Sequence, residues 1–112
     1  PVASEDLYDA DSKWRQFLRP GETLIQHALV WKRKGLFSKK RQLLLTDTPR
    51  LFYVDPESMV VKGEIRWTRE VPAHVTQISE SLFDVAIPGR TYHFTDSNQR
   101  SKLWVDNLMS VL

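Results

Sequence analysis

Apolar and polar residues alternate in short runs along most of this chain, and turn-forming residues separate the runs. In one run, Phe83, Val85 and Ile87 occupy every second position. This period of two is typical of antiparallel strands with one buried face, and Asp, Pro and Gly between runs are typical of turns. The pattern predicts seven strands, at Leu24–Lys32, Arg41–Thr46, Arg50–Val54, Met59–Trp67, Val75–Ser79, Leu82–Ile87 and Thr91–Thr95.

The end of the chain has a different period. Trp104 and Leu108 lie four residues apart, and other apolar residues extend the stripe that they form. This spacing predicts an amphipathic helix from Ser97 to Leu112 with its Trp facing inward, and Asp96 or Ser97 can cap its first turn. Seven strands followed by one helix predict a mainly β fold: a bent seven-stranded barrel or sandwich whose open end the C-terminal α-helix caps.

The first twenty residues do not follow the strand pattern. Residues 1–13 are rich in Asp and Glu and poor in large apolar groups. Trp14 and Phe17, three apart, can cover one face of a helical turn before the chain breaks at Pro20. We therefore predict an N-terminal extension over residues 1–20, with its aromatic segment packed on the barrel, and one folded domain over residues 21–112.

Composition limits the chemistry that this chain can carry. Its 112 residues suit one domain with a modest core. The chain has no Cys, so it has no disulfide, thiolate nucleophile or Cys-ligated metal. His27, His74 and His93 match no zinc motif, and no catalytic phosphate loop or nucleophile motif is present. These observations predict a non-catalytic module without metal or cofactor.

Two features of the chain suggest where it works. No apolar run approaches the roughly 18 residues that span a bilayer, and no signal peptide opens the sequence. The first residue is Pro1 and not Met, which suggests a piece of a longer protein. We expect a soluble intracellular module.

Positive charge is concentrated in one decade of the sequence. Six of the ten residues from Lys32 to Arg41 are Lys or Arg. The whole chain holds sixteen Lys and Arg against fourteen Asp and Glu, a net charge of +2, so its balance without those six is −4. A nearly neutral domain with one cationic turn is suited to a multiply negative partner. A phosphorylated headgroup, an anionic membrane, a nucleic acid and an acidic protein all remain candidates, and a solvated basic surface is the simpler alternative.

Strand geometry predicts which of these cations share one face of the hairpin. Residues two apart on a strand point to the same face, so Lys39 and Arg41 can reach one ligand together, and Lys32 lies across the hairpin from them. An Arg can bind a phosphate through two parallel hydrogen bonds, whereas a Lys acts as a point charge.

The cationic hairpin and the order of elements resemble the pleckstrin-homology (PH) domain family. The resemblance is strongest to the C-terminal PH domains of 3-phosphoinositide-dependent protein kinases, and it covers residues 14–112. The segments that carry it are Lys32–Thr46, Leu51–Pro56, Lys62–Ile65 with Trp67, and Pro88–Tyr92.

This resemblance implies a site and a role. The role is binding to PtdIns(3,4,5)P3 or PtdIns(3,4)P2, and to soluble inositol polyphosphates, so that a parent serine/threonine kinase moves from the cytoplasm to the plasma membrane. The chain departs from the family in having Lys at positions 39 and 40, which puts discrimination between bis- and trisphosphates in doubt. The implied headgroup ligands are Lys32, Lys39, Arg41, Lys62 and Arg90.

The other hairpin residues suggest contacts with the surrounding membrane. Arg33, Lys34 and Lys40 have the opposite parity or lie in the loop, and each can gain about 1 kcal/mol beside anionic lipid. Leu36 and Phe37 at the tip can either enter the headgroup layer or pack back on the barrel rim.

Two other functions fit the same sequence less well. A PH-like barrel can bind protein partners instead of lipids. A small β-barrel can also bind nucleic acid, but that function requires aromatic residues interleaved with cations along one open face. Here the cations are grouped at one hairpin, and the aromatic residues follow the parity of the core.

Overall fold

A computed structural model describes residues 13–112. Seven antiparallel strands form one sheet in the order β4-β3-β2-β1-β7-β6-β5, and a helix follows. The predicted fold class is therefore confirmed. The elements are β1 (Leu24–Lys34), β2 (Phe37–Thr46), β3 (Arg50–Asp55), β4 (Val60–Ile65), β5 (His74–Gln77), β6 (Leu82–Ile87), β7 (Arg90–Thr95) and α1 (Ser101–Val111).

The first hairpin is longer than the hydrophobic pattern predicted. β1 continues to Lys34 and β2 begins at Phe37, so pairing leaves a two-residue turn at Gly35 and Leu36. Gly35 has a φ of 61°, a conformation that Gly adopts without steric cost. The predicted β1 and β2 were too short because the outer part of this hairpin is cationic and has no alternation of apolar and polar residues.

The inward faces of the strands and of α1 form the core. The ring of Trp104 stacks on that of Phe83 at a centroid distance of 5.8 Å. β1 pairs with β7 through Trp31 and Lys32, and nearer its start Gln26 Oε1 accepts a 2.7 Å hydrogen bond from Asn107 Nδ2 of α1. Fully buried residues of this core include Val30, Leu43, Leu45, Leu51, Ile65, Phe83, Val85, Phe94 and Trp104.

The predicted start and cap of the helix were wrong. α1 begins at Ser101, and its N-cap Arg100 makes no side-chain capping bond. Asp96 lies before the helix with its carboxylate buried, where Oδ2 accepts a 3.0 Å hydrogen bond from Trp104 Nε1 and Oδ1 accepts one from Asn98 N. Asp96 therefore anchors the inward-facing Trp104, and its Oδ2 also accepts a 3.2 Å hydrogen bond from Nε of the N-cap residue Arg100.

The segment before β1 packs against the outer side of the sheet. Trp14 is buried with Phe52 of β3 in a second apolar cluster, and Phe17 stacks on it at 6.5 Å. A buried carboxylate, Glu22, accepts hydrogen bonds from Arg50 Nη2 at 2.6 Å and Nε at 3.0 Å, which fixes this segment to β3. The division of the chain at residue 20 stays a prediction. Within residues 13–112 no helix has the length and apolar character needed to cross a bilayer.

Candidate functional site

The register of the first hairpin determines which cations share a face. Lys32 pairs directly with Lys39, and Val30 pairs with Arg41. Directly paired residues point to the same side of a sheet. Because Val30 is fully buried, this side is the inward one. Lys32, Lys39 and Arg41 therefore continue the core face of β1 and β2 beyond the end of the core.

Two further strands bring their predicted residues to the same place. Arg90 is the first residue of β7, and Lys62 lies in β4. Lys62 is the extra residue of a β-bulge, since Tyr53 pairs with Gly63 and Val54 pairs with Val61. A bulge changes the direction of a side chain. All five predicted headgroup ligands line one cleft of about 340 Å³, together with Lys34 and Tyr53.

The position of Lys34 differs from the prediction. We expected it with Arg33 and Lys40, but it lines the cleft with Lys32. The physical reason is the length of β1, which continues to Lys34 and gives it the same parity as Lys32. Arg33 and Lys40 lie on the opposite face, where Lys40 Nζ is 5.6 Å from the centre of the Trp31 ring.

Lys32 is the most enclosed cation of the cleft, with 8% of its surface exposed. Its Nζ lies 5.0 Å from the centre of the Tyr53 ring and 5.9 Å from that of Tyr92. Burial lowers the pKa of Lys32, and the positive charges of Arg90 and Arg41, among other cleft cations, lower it further. The cleft thus holds a buried ammonium group that would gain from a nearby anion.

Tyr53 is a cleft residue that the sequence analysis missed. Burial raises the pKa of its hydroxyl, and the neutral phenol can donate a hydrogen bond to a ligand. The ring fits because residue 63 is Gly: a Cβ added there would overlap the Tyr53 hydroxyl. The sequence does contain a pattern that predicts the position of Tyr53. Tyr53 lies two residues after the core residue Leu51, so both side chains point to the same face of β3.

The two cleft arginines have different environments. Arg90 places its guanidinium 4.2 Å from the centre of the Tyr92 ring, an arrangement that orients the planar group. Arg41 Nη1 donates to the Lys40 carbonyl at 2.9 Å and lies 3.9 Å from Asp55 Oδ2. The Asp55 carboxylate also accepts the Glu57 backbone N–H at 2.9 Å, and this bond is the main cause of its lowered pKa. Asp55 therefore serves chiefly to close its turn.

The hairpin tip is strongly exposed. Leu36 retains 93% of its surface in contact with solvent and Phe37 retains 75%. Neither side chain packs back on the barrel rim, which was one of the two expectations. Contact with lipid stays a prediction.

The three histidines are dispersed over the sheet. His27 Nδ1 lies 2.8 Å from Gln42 Nε2, and His93 Nδ1 lies 2.8 Å from Asp84 Oδ1. His74 is exposed on β5. In the described part of the chain, no three His, Asp or Glu side chains converge as a metal site would require.

Seven antiparallel strands in one sheet followed by a C-terminal helix are the architecture of the PH fold. The sequence profile of the PH domain family matches residues 12–112, and the chain belongs to this family. Among solved structures, the C-terminal PH domain of pleckstrin in complex with D-myo-Ins(1,2,3,4,5)P5 superposes with a TM-score of 0.66 at 20% identity. That match covers 80% of this chain and 98% of the pleckstrin chain.

Within the family, the resemblance to the phosphoinositide-dependent kinases is confirmed. The probable serine/threonine-protein kinase pdkA of Dictyostelium discoideum is 46% identical over 101 residues, which cover 90% of this chain and 14% of that kinase. The human 3-phosphoinositide-dependent protein kinase 1 is 39% identical over 98 residues, which cover 88% of this chain and 17% of the kinase. The chain thus spans less than a fifth of the length of these relatives.

Proposed function

We propose that this domain binds the headgroup of a phosphoinositide in the cleft formed by β1, β2, β4 and β7. The observation that carries the proposal is the convergence of six cations on one cleft of about 340 Å³: Lys32, Lys34, Lys39, Arg41, Lys62 and Arg90. Like charges placed this close repel one another, and a multiply charged anion removes that repulsion. The lowered pKa of Lys32 supports this argument, because burial and, after it, the neighbouring cations disfavour the protonated form.

The shape of the cleft favours a ligand with several phosphates. Its cations come from four strands and approach from different directions, as an inositol ring with phosphates on several carbons requires. We propose that the preferred ligands carry a 3-phosphate, namely PtdIns(3,4,5)P3 and PtdIns(3,4)P2, and that soluble inositol polyphosphates bind as well. The names of the related kinases support this choice. Lys39 supplies charge without a planar fork, so discrimination between these ligands depends mainly on Arg41 and Arg90.

The domain would then act as a membrane anchor. We propose that it is a non-catalytic part of a serine/threonine protein kinase and carries that kinase from the cytoplasm to the plasma membrane. The identity to protein kinases over most of this chain supports the proposal. The catalytic activity would belong to a separate domain.

The test is calorimetric titration with inositol 1,3,4,5-tetrakisphosphate and inositol 1,4,5-trisphosphate. We expect both to bind, the tetrakisphosphate more tightly. Arg41→Ala should weaken binding about 10- to 100-fold, the range for losing a charge-assisted bidentate contact. Arg66→Ala is the matched control, because Arg66 is highly exposed and paired with Glu64 at 3.0 Å.

Three results would contradict the proposal. They are the absence of heat with either ligand, equal binding by Arg41→Ala and the wild type, and tighter binding of single-stranded DNA than of either inositol phosphate at moderate salt. The last result would favour a nucleic-acid function instead.

A further inference from the structure

The outer end of the first hairpin is a ribbon of two strands. β2 pairs with β3 over residues 42–46, whereas residues 37–41 pair with β1 alone among the described strands. The pairing of β1 with β7 ends at Lys32, so Arg33 and Lys34 have β2 as their only neighbour among those strands. A ribbon of two strands without a sheet beside it is marginally stable, and segments of this kind open locally. An enzyme that acts on an extended chain can therefore reach this ribbon.

Ser38 lies in this ribbon, in the exposed part of β2, and cations surround it in the sequence. Arg33 and Lys34 precede it, and each of the three residues that follow it is Lys or Arg. The sequence over residues 23–46 contains no Asp or Glu, whereas Ser58 and Ser81 each follow a glutamate directly. Protein kinases choose their substrates largely by the pattern of charge around the hydroxyl group. The pattern around Ser38 suits a kinase whose substrate groove is acidic.

The outer face of the ribbon also holds partners for a phosphate at this position. Ser38 pairs directly with Arg33, and Lys40 lies two residues further along β2, so the three side chains point to one face. Arg33 Nε donates to the Gly35 carbonyl at 3.3 Å, and the described residues offer its terminal nitrogens no acceptor. These nitrogens can bind a phosphate through two parallel hydrogen bonds. The cleft cations lie on the opposite face, so this phosphate would neutralise outer cations without entering the cleft.

We propose that Ser38 is a phosphorylation site for a protein kinase that selects basic substrates, and that its phosphate weakens attachment of the domain to anionic membranes. The effect on attachment rests on the proposed function, whereas the assignment of the site does not. In the transfer, Ser38 Oγ bonds to the γ-phosphorus of ATP, the bond from that phosphorus to ADP breaks, and the hydroxyl proton passes to a base of the modifying kinase. The product carries a charge of about −1.5 to −2, which cancels most of the charge of Arg33 and Lys40.

The first experiment asks whether Ser38 accepts phosphate. The protein is incubated with MgATP and the catalytic fragment of protein kinase C, which prefers serines between basic residues and needs no lipid activator. Mass spectrometry of the protein and its peptides should find one phosphate, on Ser38. Ser38→Ala should lose that phosphate and Ser38→Thr should regain it. Ser110→Ala is the matched control, because Ser110 is an exposed serine of α1, and it should accept phosphate like the wild type.

A double variant tests the recognition of charge. Arg33→Gln combined with Lys40→Gln removes two cations from the outer face and none from the cleft. Phosphorylation of this variant should be roughly tenfold slower or more, because an acidic groove would no longer attract the hairpin. A rate equal to that of the wild type would contradict recognition by charge.

The second experiment measures what the phosphate does. The phosphorylated and unmodified proteins are compared by sedimentation with vesicles of phosphatidylcholine, phosphatidylserine and PtdIns(3,4,5)P3. The phosphorylated form should partition roughly 10- to 30-fold less, the range for cancelling two cations beside an anionic surface. Its affinity for inositol 1,3,4,5-tetrakisphosphate in calorimetry should fall less than about threefold, since salt screens a charge on the far face. Ser38→Ala treated with the same kinase should match the unmodified wild type in both assays.

Each outcome bears on one proposal. Absence of phosphate on Ser38, or equal incorporation by Ser38→Ala and the wild type, would overturn the site. Equal partitioning of the phosphorylated and unmodified proteins would overturn its effect on attachment, and so would a loss of tetrakisphosphate affinity as large as the loss of partitioning. Failure of the unmodified wild type to bind the tetrakisphosphate would overturn the cleft proposal alone, because incorporation at Ser38 is measured without lipid.

Discussion

Replacing Lys32 with Met should raise stability and lower ligand affinity at the same time. The side chain is 8% exposed, and the charges that act on it are cationic. Met has a similar length and no charge, so Lys32→Met removes a buried repulsive charge and keeps the packing between Tyr53 and Tyr92. Exchanging a buried charge for an apolar side chain of similar volume is often neutral or stabilising. We expect the free energy of unfolding to rise by about 1 kcal/mol.

The same change removes a predicted contact with the ligand. Truncation of a charged hydrogen bond costs about 1.5–3 kcal/mol, so affinity for inositol 1,3,4,5-tetrakisphosphate should fall roughly 10- to 150-fold. Urea unfolding measures the first effect and calorimetry the second. Lys102→Met is the control, because Lys102 is exposed on α1 and paired with Asp106 at 2.8 Å. The control should leave affinity unchanged.

The pH dependence gives an independent check on the cause. The pKa of Lys32 in the folded protein lies below its ordinary value of 10.5. Between those two values the unfolded chain binds more protons, so the stability of the wild type rises with pH through that interval. The substituted methionine cannot titrate, and the stability advantage of the variant should therefore shrink as the pH approaches 10.5. A variant that is less stable than the wild type by about 1 kcal/mol or more, or an advantage that does not change with pH, would refute the argument.

Three further predictions concern the N-terminal segment and the packing of Tyr53 in the cleft. Glu22→Gln should cost about 3 kcal/mol of stability at neutral pH because it leaves Arg50 without its buried partner. Because the pKa of Glu22 is lowered in the folded protein, the stability that its carboxylate contributes is present above the ordinary pKa of 4.5. The difference in stability between wild type and variant, measured by urea unfolding, should therefore narrow as the pH falls below that value. Gly63→Ala should displace Tyr53 and weaken tetrakisphosphate binding by calorimetry about tenfold, with a stability cost of about 1–3 kcal/mol; unchanged binding would show that the Tyr53 ring has room to move. Trp14→Ala should cost about 3–5 kcal/mol in urea unfolding and leave the binding heat unaltered, whereas a loss of binding would couple the N-terminal segment to the cleft.

The hydrophobic pattern predicted those elements whose faces differ in polarity. The prediction for β6 matches its observed bounds, Leu82–Ile87, because Phe83, Val85 and Ile87 occupy every second position and turn residues flank the strand. It failed at the outer half of β2, where Phe37–Lys40 is exposed and pairing rather than burial maintains the strand. It also failed at the helix start, because a buried bond from Trp104 to Asp96 spans eight residues and cannot be read from a local capping pattern.

The site was predictable to the extent that it lies on one hairpin. The shared face of Lys39 and Arg41 follows from strand parity, and the family resemblance supplied their role, with Lys32, as headgroup ligands. Lys62 and Arg90 came from the family resemblance, since no local pattern tells which distant strands meet β1 or where a bulge falls in β4. Lys34 was misplaced for a simpler reason: the predicted β1 ended two residues too early.

The cleft is the continuation of the core beyond the point where the barrel opens. Along the inward face of β7, Phe94 is core, Tyr92 is nearly buried and Arg90 is exposed at the mouth. The inward face of β1 makes the same transition from Val30 to Lys32. Tyr53 and Tyr92 lie between the core and the cations. The Lys32 ammonium group lies near both of their rings, and its charge stays available to a ligand. The cations begin where apolar packing ends. A bound anion can therefore relieve the repulsion between the cations without altering the core that positions the strands.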